Sequence, residues 1–90
     1  MKAIIIMGST ADEPHAKKIT VKLDEYKINW EQHAASAHKQ PLEVLKILEN
    51  NRDKENIIYI TIAGRSNALS GFVAANSNFP TFGSHGLHNN

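Results

Sequence analysis

The chain has 90 residues, of which 41% are hydrophobic and 21% charged, with a formal net charge of +1 and no cysteine. A chain of this length forms one globular domain and buries only roughly 60 to 65% of its unfolded surface, so its core is small. Interleaved acidic and basic residues give no field that selects nucleic acid or an anionic membrane, and the lack of thiols excludes disulfide and thiolate chemistry.

Residues 3–7 are continuously apolar and rich in β-branched side chains, the pattern of a strand covered on both faces. The run is too short for a signal-peptide core and passes straight into a polar loop. No run approaches the length of a bilayer span, so the expected location is the cytoplasm. After the loop Gly8-Ser9-Thr10-Ala11-Asp12, Pro14 suits the first turn of a helix, and Ala16, Ile19, Leu23 and Tyr26 recur at helical spacing. This predicts a helix over about residues 13–27, with Lys17, Lys18 and Lys22 in solvent.

Residues 28–35 alternate, with Ile28, Trp30 and Ala34 opposite Asn29, Glu31 and His33, as a half-exposed edge strand does. The polar loop Ser36-Ala37-His38-Lys39-Gln40 leads to Pro41, which opens a second helix with Leu42, Leu45 and Leu48 on one stripe, ending near residues 50–51. A charged loop follows, then Ile57-Ile58-Tyr59-Ile60-Thr61-Ile62, the strongest strand pattern and the expected centre of the sheet. Behind it come Gly64-Arg65-Ser66-Asn67, a short helix over residues 68–75, a turn at 76–78 and a fourth strand at 79–82. From Gly83 the pattern stops, which divides the chain into a domain at 1–83 and a disordered tail at 84–90.

Repeated strand, loop and helix order implies parallel strands joined by right-handed crossovers, a doubly wound α/β sheet. Loops that follow such strands meet at the carboxyl edge of the sheet, so the loops at 8–12, 36–40 and 64–67 form one expected site. Gly8 admits close approach of a ligand to the backbone, Ser9 and Thr10 offer hydroxyls, and the next helix turns its N–H groups toward the same point, a combination that favours phosphate. The loop matches neither a dinucleotide fingerprint nor a P-loop, and a tight turn with a helix cap is the other reading. Asp12 holds ribose hydroxyls or caps the helix.

His38 stands at the centre of this site, since histidine is the side chain suited to shuttle a proton near neutral pH. Lys39 neutralises a phosphate or is solvated. Arg65, Ser66 and Asn67 supply a fork donor, a hydroxyl and an amide for an anion, or else a helix cap. His15 and His33 read as surface or satisfied core histidines, and the pair His85 and His88 has no carboxylate nearby to make a metal site.

The motifs Ile6-Met7-Gly8-Ser9-Thr10-Ala11-Asp12, Ser36-Ala37-His38-Lys39 with Pro41, and Ile62-Ala63-Gly64-Arg65-Ser66-Asn67-Ala68-Leu69-Ser70-Gly71 together resemble the phosphoribosylaminoimidazole carboxylase family of purine biosynthesis, over residues 2 to about 82. The resemblance implies a flavodoxin-like three-layer α/β/α sandwich, homo-oligomers with sites near subunit contacts, and neither a metal nor an organic cofactor. It assigns phosphate and ribose contacts to Ser9, Asp12, Ser36 and Lys39, with Gly8 in the first loop, and proton transfer to His38. Gly64, Arg65, Ser66 and Asn67 fall around the base and the incoming carboxyl group. Ala11 replaces the serine usual in the first motif.

One class of the family moves a carboxyl group within N5-carboxyaminoimidazole ribonucleotide. The other carboxylates 5-aminoimidazole ribonucleotide directly with carbon dioxide, and Ser36-Ala37-His38-Lys39 with Ala63-Gly64-Arg65-Ser66-Asn67 is similar to that second class. The expected partners are therefore a ribonucleotide, carbon dioxide and further copies of the chain. Family chains continue past the fourth strand through a proline-containing loop, a fifth strand and helices, whereas the resemblance here fails at about Gly83. The expectation is a sheet truncated after about four strands, self-associating and weak or inactive as an enzyme, with the N5-carboxyaminoimidazole ribonucleotide mutase or a non-catalytic nucleotide-binding domain as the alternatives.

Overall fold

The computed structural model describes residues 1–63 and 68–85. Their elements are β1 (Lys2–Met7), a 3-10 turn (Thr10–Asp12), α1 (Glu13–Glu25), β2 (Asn29–Ala34), α2 (Pro41–Asn51), β3 (Ile57–Ala63), α3 (Ala68–Ala75) and β4 (Thr81–His85). All strand pairs are parallel and the sheet order is β2-β1-β3-β4, the first four positions of a flavodoxin-like sheet. β1 and β3 are central because their apolar runs tolerate burial on both faces; Ala3, Ile4, Ile5 and Ile6 are fully buried.

Side-chain alternation then divides the core in two. Ile4, Ile6, Ile57 and Tyr59 pack against Val44, Ile47 and Leu48 of α2 and Leu69 and Val73 of α3. Ala3, Ile5, Met7 and Ile62 pack against Ala16 and Leu23 of α1. This is the expected three-layer sandwich, with one helix on one face and two on the other. Burying each of these aliphatic side chains contributes about 1.5 to 3 kcal/mol before the entropy of ordering it.

Several expectations shift. α1 ends at Glu25 rather than Lys27 because Lys27 takes a left-handed φ of 59°. Its N–H donates to the Asp24 carbonyl, and the Ile28 N–H reaches back to the Leu23 carbonyl at 2.8 Å. Tyr26 consequently lies beyond the helix and is exposed, and Thr20 takes the buried place between Ala16 and Leu23.

The predicted leucine stripe on α2 is not the core stripe. Val44, Ile47, Leu48 and Asn51 are buried, whereas Leu42 is 79% and Leu45 37% exposed. The sequence offers two overlapping stripes that share Leu48, and the fuller i, i+3, i+4, i+7 set prevails. β4 begins two residues later than predicted and runs to His85. Phe79 leaves the ladder to pack on Tyr59, with ring centroids 6.3 Å apart, and Pro80 offers only its carbonyl, which accepts from the Tyr59 N–H. Gly83 continues the strand because β4 passes close to α3: a Cβ there would lie 3.1 Å from Ser70 Cβ.

Candidate active site at the carboxyl edge of the sheet

The register pairs Met7 with both Ala34 and Ile62, so β1, β2 and β3 end on one edge. The loops after β1 and β2 therefore start side by side, tied to the sheet by two 2.8 Å bonds: the Ala35 N–H donates to the Met7 carbonyl and the Gly8 N–H to the Ile62 carbonyl. Gly8 does not need a left-handed φ, and a Cβ there would make only ordinary contacts, 3.6 Å from the Ile62 carbonyl oxygen and 4.0 Å from Leu69.

Ser9 caps the 3-10 turn, its Oγ accepting from the Ala11 N–H at 3.1 Å while its carbonyl accepts from the Asp12 N–H. A hydroxyl that accepts in this way keeps its O–H as a donor, which is what a phosphate oxygen requires. Asp12 is buried, 3% exposed, at the amino end of α1, and its side chain makes no cap hydrogen bond. The helix-cap alternative for Asp12 is thereby removed.

The second loop is organised by Ser36. Its Oγ accepts from the His38 N–H at 3.1 Å and the Lys39 N–H at 3.2 Å, and its carbonyl accepts from the Gln40 N–H at 2.8 Å. Both acceptor positions of the hydroxyl are used and the O–H remains to donate outward. The turn leaves the side chains of His38 and Lys39 exposed, and Lys39 has no ion-pair partner among the described residues. Chemically, this edge offers two hydroxyl donors, a buried carboxylate, an ammonium and an imidazole open to solvent. Gly64, Arg65, Ser66 and Asn67, the third predicted loop, lie outside the described residues, as do His88 and the rest of 86–90.

Two residues at this edge were not foreseen. His15 Nε2 and Ser84 Oγ are 2.8 Å apart and share a part-buried hydrogen bond between α1 and β4. Position alone gave a hint for His15, three residues beyond Asp12, but Ser84 falls in the stretch read as tail. His33, by contrast, lies with Lys2 and Glu31 on the edge strand: Glu31 bonds Lys2 Nζ at 2.6 Å and His33 Nε2 at 2.8 Å. The Lys2 hydrogen bond, then that of His33, holds the Glu31 carboxyl below the usual carboxylate range against a smaller opposing effect of burial.

An open groove of about 580 Å³ between α2 and the α3–β4 connection is lined by Leu42, Leu45, Leu48, Ala75 and Phe79 among others. Lys46, Glu49 and Arg52 are the charged residues of its lining, and Arg52 is already paired with Glu49 at 3.0 Å. It contains no hydroxyl–imidazole–carboxylate grouping, so the carboxyl-edge loops are the better chemical site. No group of three His, Cys, Asp or Glu among the described residues is placed to hold a metal. No described helix is long and apolar enough to cross a membrane.

Residues 2–84 match the family described as AIR carboxylase. A phosphoribosylaminoimidazole carboxylase of Archaeoglobus fulgidus is 50% identical over 84 residues, covering 93% of this chain and 46% of that protein. One from Treponema denticola is 47% identical over 74 residues, covering 78% of this chain and 45% of the relative. The crystal structure of Treponema denticola PurE superposes with a TM-score of 0.87 at 41% identity, over 91% of this chain and 52% of that one. The chain thus spans about half the length of the curated relatives it matches.

Proposed function

The chain belongs to the AIR carboxylase family, and from that premise we propose that its carboxyl-edge loops bind 5-aminoimidazole ribonucleotide and serve its direct carboxylation with carbon dioxide to 4-carboxy-5-aminoimidazole ribonucleotide. The observation that carries this reading is the Ser36-centred turn, which presents His38 and Lys39 beside the Ser9 loop on the same sheet edge. Ser9, Ser36 and Lys39 suit the phosphate by chemistry, since two free O–H donors and an ammonium meet a dianion. Asp12, buried at the helix terminus, suits ribose hydroxyls as donors to its carboxylate.

The base is an enamine. Its ring carbon attacks the carbon of carbon dioxide, forming the C–C bond as one C=O π pair moves onto oxygen. The ring carbon, now tetrahedral, loses its proton to the His38 imidazole and the ring recovers aromaticity. Holding the phosphate contributes orientation rather than reactivity. In this reading Gly64, Arg65, Ser66 and Asn67 surround the base and the new carboxylate, where a guanidinium and amide donors stabilise the developing charge.

We also infer that the protein works as an assembly of identical chains. Among the described residues β4 is an edge strand with Phe82 58% exposed on it, Leu42 is 79% exposed on α2, and apolar side chains beside a strand edge favour pairing with another copy. The class assignment rests on the likeness of Lys39 and Arg65-Ser66-Asn67 to the direct carboxylases. Incubation with 5-aminoimidazole ribonucleotide and carbon dioxide should give product, and the N5-carboxylated compound without bicarbonate should not. Rapid conversion of the N5-carboxylated compound would reverse the class assignment in favour of the mutase.

A further inference from the structure

We propose that His15 and Ser84 are positioning residues for the ribonucleotide handle: their hydrogen bond clamps the far end of the first loop to the row of the sheet that already holds its near end. The geometry is that of a bracket. At the start of the loop, the Gly8 N–H donates to the Ile62 carbonyl at 2.8 Å. At its end, His15 on the first turn of α1 meets Ser84 at 2.8 Å. Ile62 and Ser84 are register partners on β3 and β4, so both anchors stand on one row. Between them lie Ser9, Thr10, Ala11 and Asp12, held by Ser9 through its hydroxyl and carbonyl and by the Thr10 carbonyl, which accepts from the Glu13 N–H.

The clamp matters because of what surrounds it. Ala16 and Leu23 seat α1 on the cluster around Ala3, Ile5 and Met7, whereas Phe82 on the same face of β4 is left exposed. The bond between His15 and Ser84 is the hydrogen bond that joins α1 to β4 among the described residues. Without it the amino end of α1, with Asp12 and the N–H groups behind Ser9, keeps the packing of Ala16 and the Gly8 anchor but loses its polar tie to β4. A ligand that must meet Ser9 and the Ser36 turn together then pays the ordering cost on binding. The imidazole tautomer decides which partner donates, and either direction closes the bracket.

The assignment of the ligand rests on the function proposed above, and the test separates the two. Ser84→Ala and His15→Ala should each speed amide exchange at residues 9–12 by about three- to tenfold while exchange in β3 stays unchanged, and the double variant should add little to either single one. Calorimetry should show the Kd for 5-aminoimidazole ribonucleotide rising by a similar factor in Ser84→Ala and recovering in Ser84→Thr, which restores the hydroxyl. Unchanged exchange at residues 9–12, additive effects in the double variant, or undiminished binding by Ser84→Ala would overturn the clamp. A wild-type chain that binds no ribonucleotide would overturn the functional reading and the ligand assigned to the clamp. In that case loosened exchange in the variants would show the bracket itself intact.

Discussion

His38 is held by its backbone, through the Ser36 hydroxyl, while its ring stands in solvent. Its loss therefore touches chemistry more than folding. His38→Asn should lower carboxylation by about a hundredfold or more while the unfolding midpoint stays within about 2 °C, because exposed side chains outside the core contribute little to stability. Measured side by side, a variant keeping more than roughly a tenth of the wild-type rate would rule out the proton-transfer role. Tyr59 is the opposite case. It is fully buried on β3, its hydroxyl has no hydrogen-bond partner among the described residues, and burial, with the Glu31 charge adding to it, pushes its phenol up. A buried hydroxyl without a partner carries a desolvation penalty of about 1 to 3 kcal/mol, so Tyr59→Phe should be neutral or stabilising by up to about 1 kcal/mol in denaturant unfolding. A loss of more than about 1 kcal/mol would mean that the hydroxyl is satisfied in solution.

At the scale of elements, the edge strand β2 carries a pH dependence whose sign follows from Glu31. Its folded-state carboxyl lies below the ordinary 4.5, so the ion group with Lys2 and His33 stabilises the fold above that value and the contribution fades as pH falls below it. All three side chains are about one-third exposed, and solvent screening keeps the effect under about 1 kcal/mol. Glu31→Gln should therefore flatten the fall in unfolding midpoint between about pH 5 and pH 3 without altering the midpoint ranking near pH 9 by more than that amount. An acid limb identical in the variant and the wild type would show that this carboxyl does not set it.

The same elements show what the sequence made legible. Strand order and the three-layer arrangement follow from continuous apolar runs in β1 and β3, which demand cover on both faces. The half-polar alternation of residues 29–34 likewise marks an edge. Helical register was less readable: α2 has apolar residues at seven-residue coverage on two overlapping stripes, and only packing against Ile4 and Tyr59 chooses Val44, Ile47 and Leu48 over Leu42 and Leu45. The end of β4 was illegible for a related reason. Gly83, Ser84 and His85 have low strand preference, and it is the neighbouring β3 ladder, with room beside Ser70 for a residue lacking Cβ, that extends the strand. The hydroxyl–imidazole bond from His15 spans 69 positions, and no local pattern announces such a pair.

Across the whole molecule, the two ends of the sheet have different tasks. The amino ends of the strands are closed by connections such as the Lys2 N–H donating to the Asn56 carbonyl at 2.8 Å, and the helices cover the faces unequally. The carboxyl edge gathers the side chains with chemistry, because parallel order sends every strand-to-helix loop there. The central claim is that this edge, and not the apolar groove beside Leu42 and Phe79, receives the ribonucleotide. Backbone amide shifts recorded while 5-aminoimidazole ribonucleotide is titrated into the protein address it most directly. The account predicts saturable shifts centred on Ser9, Asp12, Ser36, His38 and Lys39, with Leu45, Arg52 and Phe79 unmoved; shifts centred on Leu45, Arg52 and Phe79, or no saturable change at the carboxyl edge, would contradict it.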